Sequence, residues 1–133
     1  MSQENVETSS DAIAALNRDG VEGFLAYCDP DVEWVTPPDW PEDPVFNGHD
    51  GVRRAIALFA EQLDDFHVEM ERVVDVDEDR VVVLLYQSGR IKGSGNTLRE
   101  PLGVATEFRH GKATRFQVYF SWREALRAVG LEE

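Results

Sequence analysis

Apolar positions in the first half of the chain recur every three or four residues, whereas in the second half they alternate or gather in short β-branched blocks. In "NVETSSDAIAALNRDG" Val6, Ile13 and Leu16 fall at roughly helical spacing and Asp19-Gly20 supplies a stop, which predicts a helix from about Asn5 to Arg18. "VEGFLAYCDPD" places Val21, Phe24, Leu25 and Cys28 on one face ahead of Pro30, predicting a second, shorter helix. Strand-like alternation follows in "DVEWVT", with Val32, Trp34 and Thr36 sharing a side. Repeated loss of backbone donors in "PPDWPEDPVF" predicts a stiff loop rather than a central strand. Val52, Ile56, Phe59 and Leu63 in "GVRRAIALFAEQL" then mark one face of a third helix.

Four segments rich in β-branched and aromatic residues come next: "FHVEMERVVDV", "RVVVLLYQSGRI", "NTLREPLGVATEFR" and "KATRFQVYFS". The turns between them are too short for parallel crossovers, so they read as an antiparallel meander, closed by a helical turn at "WREALRAVG". The chain is therefore expected to be a single α+β domain spanning residues 1–133. "VVVLLY" is apolar on both faces, so one face should meet the core and the other a second copy of the protein, as a homodimer through the sheet.

Charge narrows the partners. Thirteen Lys plus Arg against 26 Asp plus Glu give a net charge of −13, a field that opposes nucleic acid and anionic membrane surfaces. "MSQENVETSS" has neither the basic start nor the apolar stretch of a secretory signal, and the cytoplasm is the expected location. Cys28, the single cysteine, has no thiol partner and reads as a small core residue. "DVDED" lacks the glycine and distal glutamate of a calcium loop, "GKAT" lacks the spacing of a phosphate loop, and His49, His67 and His110 are far apart. No metal and no cofactor are expected. Arg90 and Lys92 in "SGRIKGSGN" form a basic spot that reads as solvated charge on a glycine-rich turn.

In "FNGHDGVRRAIALF" His49 and Asp50 suggest a catalytic pair, but neighbours on a helix point about 100° apart and cannot face each other. The stretch reads as a helix start, capped by Asn47 or Gly48, with Asp50 at the positive end of the dipole.

The succession "DPDVEW", a proline loop, "F-N-GHDGVR", "DRVVV", "G-KGSG", "HGK" and "VYFSWREAL" resembles the SnoaL-like branch of the nuclear transport factor 2-like superfamily, which includes polyketide cyclases and ketosteroid isomerases. The resemblance implies a cone-shaped fold, three helices packed in a strongly curved mixed or antiparallel sheet. It says little about the reaction, because one fold hosts many chemistries. Where ketosteroid isomerases carry a general-base aspartate on the first strand, this chain has Trp34; their oxyanion-binding tyrosine and aspartic acid correspond to Ala12 and Val104. The cyclases use an acidic residue on the closing strand, and "TRFQVYF" has none; the Arg-x-Asp of limonene epoxide hydrolases is also absent.

With Trp34 and Val104 inward by family analogy, strand parity adds Val32, Thr36, Thr106, Phe116, Val118 and Phe120, and leaves Arg115, Gln117 and Tyr119 outward. The third helix contributes Phe59, the proline loop offers Trp40 at the mouth, and Tyr86 faces either pocket or dimer interface. The candidate pocket is thus Trp34, Thr36, Trp40, Phe59, Tyr86, Thr106, Phe116 and Phe120, suited to a small apolar molecule. Two functions stay open. One is a cyclase, isomerase or hydratase type of enzyme, with Tyr86, Asp39 or His49 as the available acid or base; the other is a non-catalytic binding or sensing protein.

Overall fold

The computed structural model of the chain describes residues 2–37 and 45–131. In chain order the elements are α1 (Ser2–Asp19), α2 (Val21–Leu25), β1 (Cys28–Val35), β2 (Val45–Asn47), α3 (Gly48–Ala60), β3 (Leu63–Asp75), β4 (Arg80–Ile91), β5 (Thr97–Arg109), β6 (Lys112–Tyr119) and α4 (Trp122–Ala128). The six strands form one curled, unclosed sheet in the order β2-β1-β6-β5-β4-β3. Every neighbouring pair is antiparallel except β1 and β6, the first and last strands of the chain, which run parallel in the interior of the sheet.

The meander forms because its hairpins are short and its strands alternate. Val81, Val83 and Leu85 of β4 stand opposite Thr106, Val104 and Leu102 of β5, and all six point to the concave side. There they meet α1, α2 and α3 in a core that includes Ala12, Phe24, Val52, Ile56 and Phe116. Each helix contributes one apolar face, the helical spacing read from the sequence. Asn17 fastens α1 to the sheet: its amide nitrogen donates to the Val68 carbonyl at 2.7 Å and its oxygen accepts from the Val68 N–H at 2.8 Å.

Four local expectations are corrected. Cys28 is not on the second helix; α2 ends at Leu25, and Cys28 opens β1, paired with Ala113. Long-range pairing has overridden the helical spacing there, helped by the Ala113 N–H bond to the Tyr27 carbonyl at 2.9 Å. Pro30 lies inside β1, within the register jump between Cys28 and Glu33, where a missing N–H breaks no ladder bond. Leu63, expected on the third helix, begins β3, and a kink at Asp65 (φ 56°) shifts the register before His67. The proline-rich loop ends in a strand: β2 adds three residues to the outer edge of β1, with Trp34 opposite Phe46.

The convex side carries a second, smaller core. Val82 and Leu84 of β4 pack against Ala125 and Leu126 of α4, with Trp122, Val129 and Leu131 around them. The outward apolar face of β4, assigned from sequence to a second copy, is therefore covered within the chain itself. Ser121 caps α4 by accepting from the Glu124 N–H at 3.2 Å, and the Trp122 indole donates to the Leu85 carbonyl at 3.1 Å. Among the described residues no helix is long and apolar enough to cross a membrane.

Candidate functional site

Between the three N-terminal helices and the concave face lies a cavity of about 70 Å³. Its walls are Ala12, Ile13 and Leu16 from α1, Phe24 from α2, Trp34 from β1, Ile56 and Phe59 from α3, and Val83, Leu85, Leu102, Val104, Thr106 and Phe116 from the sheet. The aromatic wall follows from strand register. Trp34 and Phe116 are directly paired across β1 and β6, their rings 5.5 Å apart, and Phe116 meets Phe24 at 5.4 Å. Both contacts are tilted, the arrangement aromatic quadrupoles favour.

Polar groups are few. Thr106 is 3% exposed and its hydroxyl donates to the Val104 carbonyl at 3.5 Å. Cys28 is buried too, and burial pushes its thiol up to about 12, so it stays a neutral lining group rather than a nucleophile. Ser9, on the α1 wall, is 5% exposed, and its Oγ has no hydrogen-bond partner among the described residues. Replacing Ser9 by alanine is accordingly expected to raise thermal stability, by about 1 kcal/mol, because it removes a desolvated hydroxyl and no bond. A fall in Tm of the Ser9→Ala protein would show that the hydroxyl has a partner in solution.

A second, wider cavity of about 250 Å³ adjoins the first, lined by Phe59, Gln62, Leu63, Gln87, Ile91, Leu98, Glu100 and Phe120. Phe59 and Gln87 line both, so the deep apolar space and the outer one meet at these two side chains. Gln87 and Glu100 are cross-strand partners in the β4–β5 register, and the Gln87 amide donates to the Glu100 carboxylate at 2.5 Å. Neither residue was named from the sequence. The signal was present: parity that turns Thr106, Val104 and Leu102 inward turns Glu100 inward as well, and Gln87 continues the inward series of Val83 and Leu85.

The residues named from sequence are distributed unevenly. Trp34, Phe59, Thr106 and Phe116 line the deep cavity, and Phe120 lines the outer one. Thr36 is buried beyond β1, outside both linings, where its carbonyl accepts from the Gln117 amide at 3.2 Å. Tyr86 belongs to the convex face, a correction to its place among the pocket candidates. Its ring lies 5.0 Å from that of Trp122, and the Arg99 guanidinium sits 3.6 Å from its centroid. Beside it, Ser88 and Arg99 both donate to Glu69, and these bonds hold the Glu69 carboxyl below its ordinary value. Trp40 and Asp39 lie outside the described residues.

His49 and Asp50 serve the fold. His49 Nε2 donates to the Cys28 carbonyl at 3.1 Å, fixing the start of α3 to the start of β1. Asp50 pairs with Arg53 at 2.5 Å, and Arg53 also grips Glu22 through two bonds, at 2.6 and 3.0 Å, tying α3 to α2. Asn47 occupies the N-cap position of α3, but its side chain makes no capping bond. The "DVDED" turn is closed by its own residues, with Asp77 accepting from the Asp79 N–H and the Arg80 side chain. Among the described residues no three His, Cys, Asp or Glu side chains cluster as a metal site.

The model of the SnoaL-like domain family matches residues 10–116, most of the chain. The chain belongs to the SnoaL-like domain family. Solved SnoaL-like and related structures superpose over nearly its whole length. TerC, co-crystallized with polyporic acid, is 25% identical with a TM-score of 0.75, covering 95% of this chain and 98% of TerC. A nuclear transport factor 2-like protein from Burkholderia xenovorans is 28% identical, with a TM-score of 0.67 and 98% of both chains covered. A ketosteroid isomerase-like protein from Catenulispora acidiphila, in complex with trimethylamine, shares the fold at 19% identity and a TM-score of 0.73, covering 94% of this chain and 93% of its own. No curated protein matches this SnoaL-like chain in sequence.

Proposed function

We propose that this SnoaL-like protein binds a small hydrophobic molecule in the deep cavity. The observation that carries the reading is the cavity's lining, aliphatic and aromatic on all sides with only isolated polar atoms. An apolar cavity of this kind gives water few partners and rewards an apolar guest. Its size sets the guest's: about 70 Å³ is several times what one water needs, yet about half of an engineered ~150 Å³ cavity that takes up benzene. A slim alkyl group fits better than a benzene ring or a fused-ring body. TerC with polyporic acid and the Catenulispora protein with trimethylamine are relatives holding organic molecules, which supports a binding role for this fold here.

A cyclase, isomerase or hydratase type of reaction is the second reading. What favours it is Glu100, a carboxylate in the wall of the outer cavity bonded to Gln87, which could serve as a base or acid.

Hexan-1-ol is a suitable probe, titrated by calorimetry. Replacing Trp34 by alanine is expected to weaken its binding about tenfold, because an indole face is lost from the wall. Unchanged affinity would place the ligand elsewhere. Recovery of bound molecules chemically altered after incubation would favour the enzyme reading over the binding one.

A further inference from the structure

We infer that the outer cavity receives a protonated amine, so that the ligand of this protein is a small amine whose apolar part occupies the deep cavity. The inference rests on the binding role proposed above and adds the chemical class of the head group.

Three features of the outer cavity select a cation. The first is Glu100, half-buried in its wall, whose carboxylate has the neutral Gln87 amide as its hydrogen-bond partner and is in no ion pair among the described residues. Elsewhere the carboxylates of Glu22, Asp50, Asp65, Glu69 and Asp77 are each matched to an arginine. A carboxylate held in a recess with no cationic side chain beside it leaves its charge for a ligand.

The second feature is the direction of the remaining hydrogen bonds. Gln62 donates its amide to the Leu58 carbonyl at 2.9 Å, and Gln87 donates to Glu100. Each amide thereby uses one of its two N–H groups, and acceptors outnumber the donors that are left around the cavity: the carboxylate oxygens and the two amide carbonyls. An ammonium group supplies donors and no acceptor, which is the complement.

The third is the pair of rings. Phe59 and Phe120 line the same space as Glu100, and the faces of aromatic rings attract cations, most of all where water is partly excluded. Phe59 also lines the deep cavity, so a molecule anchored at Glu100 has its apolar portion directed past Phe59 and Gln87. The net charge of −13 adds a long-range attraction for cations and repels carboxylate ligands.

Hexylamine and hexan-1-ol, titrated in parallel at neutral pH into the full chain, separate this inference from the reading it rests on. The alcohol reports the deep cavity, and the difference between the two reports the ammonium site. Wild-type protein is expected to bind hexylamine about tenfold more tightly than hexan-1-ol. Glu100→Gln keeps the shape and an acceptor for Gln87, and is expected to remove that preference while leaving the alcohol's affinity unchanged. Equal binding of the two probes to wild type, or a preference that survives Glu100→Gln, overturns the inference while the apolar cavity stands. Failure of both probes to bind overturns the inference and the binding role together.

Discussion

Phe116→Ala is expected to destabilise the protein by about 3–5 kcal/mol, lowering Tm by roughly 10–20 °C. The ring is 6% exposed and stands where β6 meets both β1 and α2, in contact with Trp34 on one side and Phe24 on the other. Truncation removes both aromatic contacts and leaves a void that joins a cavity already present, so collapse of the surroundings can recover little. Chemical denaturation measures the loss. The same variant has a second expected property: the enlarged cavity should accept a benzene-sized guest that the wild type excludes, and saturating benzene should restore part of the lost Tm. A loss below about 1 kcal/mol would mean that Phe116 does not organise the inner wall.

Gly103→Ala is expected to destabilise by about 1–3 kcal/mol, against the usual direction of a glycine-to-alanine change. Gly103 lies on the convex face of β5 beneath α4, and a Cβ there would stand 2.4 Å from the Cβ of Ala125. Both atoms belong to packed backbone elements, so the helix must lift and strain the Trp122 bond to the Leu85 carbonyl. The compensating exchange is the decisive measurement. Gly103→Ala combined with Ala125→Gly moves the methyl group from helix to strand, and the pair should recover most of the stability that the first change loses. Purely additive losses in the double variant would show that the two positions do not share one space.

What could be read from the sequence followed from periodicity. The α+β class and the meander from β3 to β6 depend on whether side chains alternate or recur by turns, which one chain displays, whereas the inward series through Trp34, Thr106 and Phe116 also needed the family resemblance to say which face is inward. Features set by distant pairing were hidden. Nothing local says that Cys28 will pair with Ala113 instead of completing a helical face, or that three residues after the prolines will find the free edge of β1. The double-sided apolarity of β4 was visible, but not that the chain's own α4 would cover its outer face. Glu100 was missed for a different reason. The acid that relatives keep on this strand corresponds to Val104, and the alternation that turns Val104 inward also turns Glu100, four residues earlier, toward Gln87.

The parallel pairing of β1 with β6 also governs how the protein is made. Cys28 finds its partner at Ala113 and Val35 at Gln117, so β1 leaves the ribosome long before the strand it needs. During that interval the apolar faces of α1, α2 and α3 have no finished sheet to rest on, and the edge of β1 stays open. Non-local closure of this kind is slow and leaves intermediates exposed to association. Yield at elevated temperature, more than activity, is then the property most sensitive to changes in β6.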